Sequence, residues 1–246
     1  MKFKISVTAY NGDKFIKQCL ESIMSQTLPF DCVLVDDGST DSTAEVAEAT
    51  IGGDTRFKLI KKEKNQGRML STLEAIVELY PSGEDVIVEV DGDDYLVGPK
   101  VLERVKEEYD NGALATYGQF RTKFATRGLC RPYSPAQIQN RSYRSSSWLA
   151  SHLKTYKYFL FEKINKDNFV DDEGKPLNMV PDMAFMFPIL EMVGTRVHCI
   201  NDVLYHYRTD NPMCAHNLNV GEQLRQGSVV KGRPKYPLLE VNAYEV

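Results

Sequence analysis

Apolar residues along the first half of the chain recur with two alternating periods. Phe3 to Ala9 is a short run with the look of a buried strand, and Phe15, Ile16, Cys19, Leu20, Ile23 and Met24 then fall on one helical face between about Asp13 and Thr27. Cys32 to Val35 predicts a second strand that ends at Asp36-Asp37-Gly38-Ser39, where acidic, glycine and hydroxyl residues signal a loop. Ser42-x-x-Glu45 fits a capping box, so the next helix is placed at about Ser42 to Thr50. Phe57 to Lys61 predicts a third strand, and Arg68 to Leu79 a helix with Met69, Leu70, Leu73, Ile76 and Val77 inward. Val86 to Val90 is nearly all valine and isoleucine and predicts a fourth, central strand. This β-α-β-α-β-α-β rhythm argues for a mostly parallel sheet flanked by helices.

In such sheets the ligand site lies beyond the carboxyl ends of the strands. Three polar segments occupy that edge: Tyr10-Asn11, Asp36 to Ser39, and Asp91 to Asp94. Beyond Pro99 a helix carries Val101, Leu102 and Val105, and Ala113 to Gly118 predicts a further strand. From about residue 120 the periodicity weakens. The Arg-, Ser-, Gln- and Pro-rich stretch Thr122 to Ser147 predicts long loops over a site, not a second core. Trp148 to Ile164 and Met183 to Val193 have partly helical periodicity, and Pro188 is expected to kink or divide the latter. The tail from about Asn217 has few core signals and is read as an extended arm.

Composition narrows the class. A chain of 246 residues with 42% hydrophobic and 26% charged residues holds enough apolar material for one large core, which excludes wholesale disorder. Its 34 acidic residues outnumber its 30 basic ones, for a net charge of −4, so a nucleic-acid partner is disfavoured. The five cysteines, Cys19, Cys32, Cys130, Cys199 and Cys214, form no C-x-x-C pair and read as free thiols. The N-terminus lacks a signal-peptide core, and no segment reaches the roughly 18 apolar residues of a membrane span. A cytoplasmic location is expected, with any membrane association peripheral.

Three carboxylates within four positions repel one another unless a cation or solvent compensates. Hard divalent cations supply that compensation through oxygen ligands, so Asp91 and Asp93 are candidates to hold Mg2+ or Mn2+ on a diphosphate, with Asp94 in support. A solvated acidic turn is the competing reading. Asp37 is placed to accept hydrogen bonds from a base or ribose, and Tyr10 to stack on a base.

Taken together, Ile5-Ser6-Val7-Thr8-Ala9-Tyr10-Asn11, Ser22 through Ser25-Gln26-Thr27, Val35-Asp36-Asp37-Gly38-Ser39-x-Asp41, Asn65-x-Gly67 and Asp91-x-Asp93-Asp94 resemble the ordered signature of the family 2 glycosyltransferases over about the first 120 residues. The resemblance implies an α/β GT-A fold, the Rossmann-like nucleotide-diphospho-sugar transferase architecture. It also implies a nucleotide-sugar donor such as a UDP-sugar, a divalent metal, Mn2+ or Mg2+, and transfer to a hydroxyl of a glycan or other acceptor with inversion. One domain is then expected: a nucleotide-sugar-binding half, residues 1–120, an acceptor-binding and catalytic half, 121–216, and an extended tail, 217–246.

Carried over by position, the resemblance gives Thr8 and Ala9 a backbone role at the nucleotide, Tyr10 and Asp37 contacts with the base, and Asp91 a place near ribose and metal. Asp93 becomes the principal metal ligand. Arg68 would approach the nucleotide or its phosphates, or stand solvated at a helix end. Asp182 in Pro181-Asp182-Met183 occupies the place of the base, although Pro181 replaces the family's Glu; a residue favoured by the helix dipole is the alternative. Leu204-Tyr205-His206-Tyr207-Arg208 resembles the late aromatic and basic segment. His206 would complete the metal shell or hydrogen-bond phosphate, with packing in a strand as the alternative, and Arg208 would neutralise the leaving group. His152 and Lys154 are acceptor-side candidates. Rival readings are a sugar nucleotidyltransferase, for which Tyr10-Asn11-Gly12-Asp13-Lys14 is a poor triphosphate loop, and a nucleotide- or glycan-binding module without catalysis. A dinucleotide-binding protein is weaker, since no G-x-G-x-x-G follows a predicted strand.

Overall fold

The computed structural model describes residues 1–128, 130–209, 211 and 219–240. The first strands and helices follow in alternation: β1 (Phe3–Ala9), α1 (Ile16–Met24), β2 (Phe30–Asp36), α2 (Thr43–Ile51), β3 (Phe57–Lys61), α3 (Arg68–Glu78) and β4 (Val86–Asp91). β1 pairs in parallel with β2 on one side and β4 on the other, and β2 pairs in parallel with β3. The chain thus builds outward from β1 through β3 and returns to β1's other edge. The crevice between the carboxyl ends of β1 and β4 is the topological switch point, where open α/β sheets bind ligands.

The remainder continues the same sheet. β5 (Tyr95–Leu96), α4 (Val101–Asp110), β6 (Ala115–Arg121), α5 (Pro135–Gln139), β7 (Lys154–Lys157), α6 (Tyr158–Glu162), α7 (Pro181–Val193), β8 (Val197–His206) and α8 (Val220–Gly232) complete the chain. The eight strands run in the order β3-β2-β1-β4-β7-β6-β8-β5, with β7 antiparallel to both neighbours and β5 antiparallel to β8.

Strand alternation assigns the two faces. Val86 and Val88 on β4 pack with Ile5 and Val7 against α1 and α4, in a cluster that includes Leu20, Ile23 and Leu102. Ile87 points the other way, into a second cluster with Met69 and Ile76 of α3, Tyr156 of β7 and most of α7. Glu89, two residues on, shares that second face.

Several expectations change. The second half is no mere loop cover: Tyr133, Tyr143 and Leu149, from the stretch expected as loops or helix, are buried in the α7 cluster. Lys154 to Lys157 is a strand inside the sheet, not part of a helix. α3 buries Met69, Ser71, Thr72, Ala75 and Ile76, while Leu70 and Val77 are exposed, so its inward face is rotated from the predicted one. The Ser42 side chain makes no cap bond; Asp41 instead accepts from the Thr43 amide at 3.0 Å. α7 runs unbroken through Pro188. Proline removes the donor that would bond the carbonyl four residues back, and that carbonyl, Ala184, accepts instead from the Asn168 side chain. The segment expected as an extended tail carries α8, which buries Val230 and Gln226. Of the cysteines, Cys19, Cys32, Cys130 and Cys199 are free thiols, and Cys214 lies outside the described residues. No helix among the described residues is long and apolar enough to cross a membrane.

Candidate active site

At the carboxyl edge of the sheet a cleft of about 330 Å³ is lined by Thr8, Ala9, Tyr10, Asp37, Arg68, Asp91 and Asp93, all expected site residues, together with Asn65, Gly67, Asn178 and Asn211. Its floor requires a close backbone approach. Gly92 donates to the Thr8 carbonyl at 2.9 Å, and a Cβ at position 92 would stand 2.7 Å from the Ala9 Cβ. Only glycine fits there.

Asp37 leaves β2 at the Ala9 end of β1, its amide donating to the Ala9 carbonyl at 2.8 Å. Its carboxylate accepts from the Gln66 and Gly67 amides at 3.0 and 2.8 Å, with Lys62 at 3.5 Å. Asp37 therefore holds the Asn65-Gln66-Gly67 turn in the cleft wall and keeps lone pairs for a ligand. Gly67 adopts φ +95°, a region open to glycine, and packs so tightly on Asn178 that a Cβ would overlap its amide. Asn178 in turn accepts from the Met69 amide at 3.0 Å and fixes the start of α3.

The acidic turn after β4 divides its carboxylates. Asp91 accepts from Arg68 at 2.6 Å, and its amide donates to the Tyr205 hydroxyl at 3.0 Å. Asp93 accepts from the Asn211 side chain at 2.8 Å and lines the cleft. Asp94 turns inward, 1% exposed, and accepts from the Arg208 amide at 2.7 Å. Burial, then Asp93 and Asp91, raises the Asp94 carboxyl well above the ordinary range. Such crowding of oxygen donors suits a hard divalent cation. Ligand atoms of Asp91, Asp94 and His152 also lie within 4.8 Å of one another. His152 Nδ1 is buried without a hydrogen-bond partner among the described residues, and burial followed by the nearby Lys154 pushes the imidazole down to about 4. The donor set present, carboxylates with a neutral imidazole, fits a divalent cation chemically.

Two late residues pack beside the acidic turn. His206 stacks on Tyr95 at 4.4 Å and is not among the three residues whose ligand atoms converge. Arg208 lies over the Phe15 ring at 4.5 Å and donates to the Asp93 carbonyl and to Gln18, each at 2.7 Å, so its guanidinium braces the acidic turn. His152 and Lys154 are 4% and 1% exposed and present no open surface to an acceptor. Lys154 opens β7, and His152, two residues before that strand, stacks on Tyr205 and Tyr207 at 4.7 and 5.0 Å.

Lys154 instead pairs with Asp182. Its ammonium donates to Asp182 at 3.0 Å and lies 3.8 Å from Glu89, its cross-strand partner on β4. Tyr156 donates to Glu89 at 2.8 Å, and Arg68 reaches Asp182 at 3.3 Å. Burial alone would raise the Asp182 carboxyl; Lys154, Arg68 and His152 outweigh it and hold it well below the ordinary range. An unbroken line of charge thus joins Asp91, Arg68, Asp182, Lys154 and Glu89. Glu89, Tyr156 and Asn178 were not anticipated, and Tyr205 only as a member of the late aromatic segment. The cross-strand offset of Glu89 and Lys154 was the available signal, but only after β7 is recognised as a strand.

The family model for glycosyl transferase family 2 matches residues 5–172. The chain belongs to this family. Glycosyltransferase GlyG of Streptococcus pneumoniae is 27% identical over 222 residues, covering 83% of the chain and 69% of the relative. The glycosyltransferase EpsJ of Bacillus subtilis is 28% identical over 224 residues, covering 85% of the chain and 61% of the relative. Among solved structures, Staphylococcus aureus TarS 1-349 in complex with UDP-GlcNAc superposes with a TM-score of 0.63 at 21% identity, covering 89% of the chain and 62% of that structure. The mannosyltransferase PcManGT of Pyrobaculum calidifontis, in complex with GDP-Man and Mn2+, does so with a TM-score of 0.62 at 19% identity, covering 96% and 66%. The fold is therefore the GT-A fold of family 2 glycosyltransferases, and the chain spans about two-thirds of the length of these relatives.

Proposed function

We propose that this family 2 domain transfers a sugar from a nucleoside-diphosphate donor, a UDP-sugar in the first instance, to a hydroxyl of a glycan or other acceptor, with divalent-cation assistance and inversion. The observation that carries the proposal is that Arg68, in the cleft wall, joins the Asp91/Asp93 turn to Asp182, with ion pairs of 2.6 Å to Asp91 and 3.3 Å to Asp182. The nucleotide-sugar complexes of TarS and PcManGT support the donor class, and the Mn2+ in the latter supports the cation.

In this reading Tyr10 stacks on the base, Asp37 accepts from it, and the backbone of Thr8 and Ala9 lies along the nucleotide. Asp91 and Asp93 would hold Mn2+ or Mg2+, with Asp94 and His152 as inner donors; a bound cation neutralises charge developing on a departing diphosphate. Asp182, kept ionised by Lys154 and Arg68, takes the proton of the acceptor hydroxyl as that oxygen attacks the anomeric carbon. The diphosphate leaves from the opposite side, which gives inversion. A cytoplasmic location with at most peripheral membrane contact belongs to the same proposal.

A screen of nucleotide sugars with Mn2+, read as release of nucleoside diphosphate, tests the reading. Turnover by the wild type, with transfer lost in Asp182→Asn while nucleoside diphosphate binding survives, is the expected pattern. Unchanged turnover in Asp182→Asn would place the base elsewhere.

A further inference from the structure

Arg68 stands at the first residue of α3, directly after Gly67 with its φ of +95°. Its guanidinium forms ion pairs with two carboxylates that belong to different halves of the reaction. Asp91 at 2.6 Å lies on the donor side, and Asp182 at 3.3 Å on the acceptor side. The Arg68 side chain retains 30% exposure and lines the cleft, so a ligand can reach it. Asp182 has a second cation of a different kind in Lys154, which is 1% exposed, 3.0 Å away and backed by Glu89. One of the two cations on Asp182 is thus sealed in the sheet and the other faces the place where a diphosphate would bind.

A planar guanidinium prefers the paired oxygens of a phosphate, and it can share itself among carboxylates only while no stronger anion competes. Of its two pairs, the longer contact to Asp182 is the one that yields first. Resting on the donor assignment above, we propose that Arg68 couples the two halves of the site: an arriving donor diphosphate draws its guanidinium away from Asp182 and leaves Lys154 as the cation that orients this carboxylate. In the empty site Arg68 clamps Asp182, and the donor releases the clamp, so the acceptor meets an unclamped carboxylate only after the donor is in place. Arg68 acts on Asp182 as a positioning residue through this exchange.

Two sites linked by one shared cation must show reciprocal coupling in binding. The test is a double-mutant cycle on the affinity for UDP with Mn2+, and in parallel GDP with Mn2+, measured by titration calorimetry on the wild type, Asp182→Asn, Arg68→Met and the double variant. The expected result is that Asp182→Asn binds nucleotide about 3–10-fold more tightly than wild type, because Arg68 no longer has a competing partner. Arg68→Met binds it roughly tenfold more weakly, since a charge-assisted contact is lost. In the Arg68→Met background the Asp182→Asn change then alters affinity by less than about twofold. Lys154, left without its partner, also attracts anions, but with Glu89 3.8 Å away it does so by less than about twofold, equally in both backgrounds, and this cancels from the coupling. If Asp182→Asn does not fold, judged by its melting transition, Asp182→Asn/Lys154→Met removes both ends of the buried pair and takes its place with the same expectation. An effect of equal size with and without Arg68, or none in either background, overturns the coupling while leaving the donor assignment standing. Absence of nucleotide binding by every variant and the wild type overturns the donor assignment and the coupling with it.

Discussion

Asp93 and Asp94 are neighbours with opposite environments, and that difference assigns their parts. Asp93 opens into the cleft with one hydrogen bond from Asn211, whereas Asp94 is buried and bonded to the Arg208 amide. Asp93→Ala is therefore expected to keep the fold, with a melting temperature within a few degrees of wild type, and to lose Mn2+-dependent transfer by two orders of magnitude or more. Full activity in that variant would remove Asp93 from the cation site. Gly92 makes the complementary point, since an added methyl would collide with Ala9. Gly92→Ala should lower stability by about 1–3 kcal/mol in denaturant titration, as overpacking does, and displace the acidic turn. Unaltered stability would show that the β1–β4 approach is looser than drawn. The sequence displayed these residues clearly, because each carries a chemical type at a strand end. It did not display the parts of Asn178 or Tyr205, whose side chains act from 100 residues or more away in sequence, as in the contacts to Met69 and Asp91.

Between elements, the most informative joint ties α7 to α8. Arg144 forms two parallel bonds to Glu191 at 2.7 and 2.9 Å and donates to the Val230 carbonyl, while Glu191 also accepts from the Tyr236 amide at 3.0 Å. Both side chains are sealed from solvent, so removing one strands the other's charge. Glu191→Gln should cost about 3–5 kcal/mol of unfolding free energy, measured by chemical denaturation. A cost below 1 kcal/mol would mean that water reaches the pair. Sequence patterning located α7 and β1 to β4 because their apolar residues are continuous or strictly periodic. It misplaced β7 because Lys154-Thr155-Tyr156-Lys157 buries polar side chains through partners that only the tertiary fold supplies, such as Thr116 and Tyr109 on Thr155 and Glu89 on Tyr156. For the same reason α8, with only Val230 and Gln226 buried, read as a tail.

At the scale of the whole molecule, one sheet carries a large apolar cluster on each of its faces, and Asp91, Arg68 and Asp182 meet where its order switches. This continuity makes stability respond to the site's own titration. His152 has a folded pKa of about 4, below an unfolded value near 6.5, so the unfolded chain binds the extra proton first as pH falls. Its contribution is complete above about pH 6.5 and is lost on the way down to about pH 4, a decline of up to ~3 kcal/mol. Urea midpoints should fall through that window in the wild type and fall less in His152→Phe; equal slopes would detach His152 from the effect. The family-level architecture was legible from five ordered motifs in the first 120 residues. The arrangement of the second half was not, because its loops are fixed by long-range partners rather than by local pattern.

On the function proposed above, this cleft binds a nucleoside diphosphate together with a divalent cation held by the acidic turn. Titration calorimetry of UDP and of GDP, each with and without Mn2+, on the wild type and Asp93→Ala tests it most directly. One of the two nucleotides is expected to bind the wild type at least tenfold more tightly with Mn2+, and Asp93→Ala to lose this gain while retaining the cation-independent part. Binding that is indifferent to Mn2+ in the wild type, or a Mn2+ gain that persists in Asp93→Ala, would contradict it.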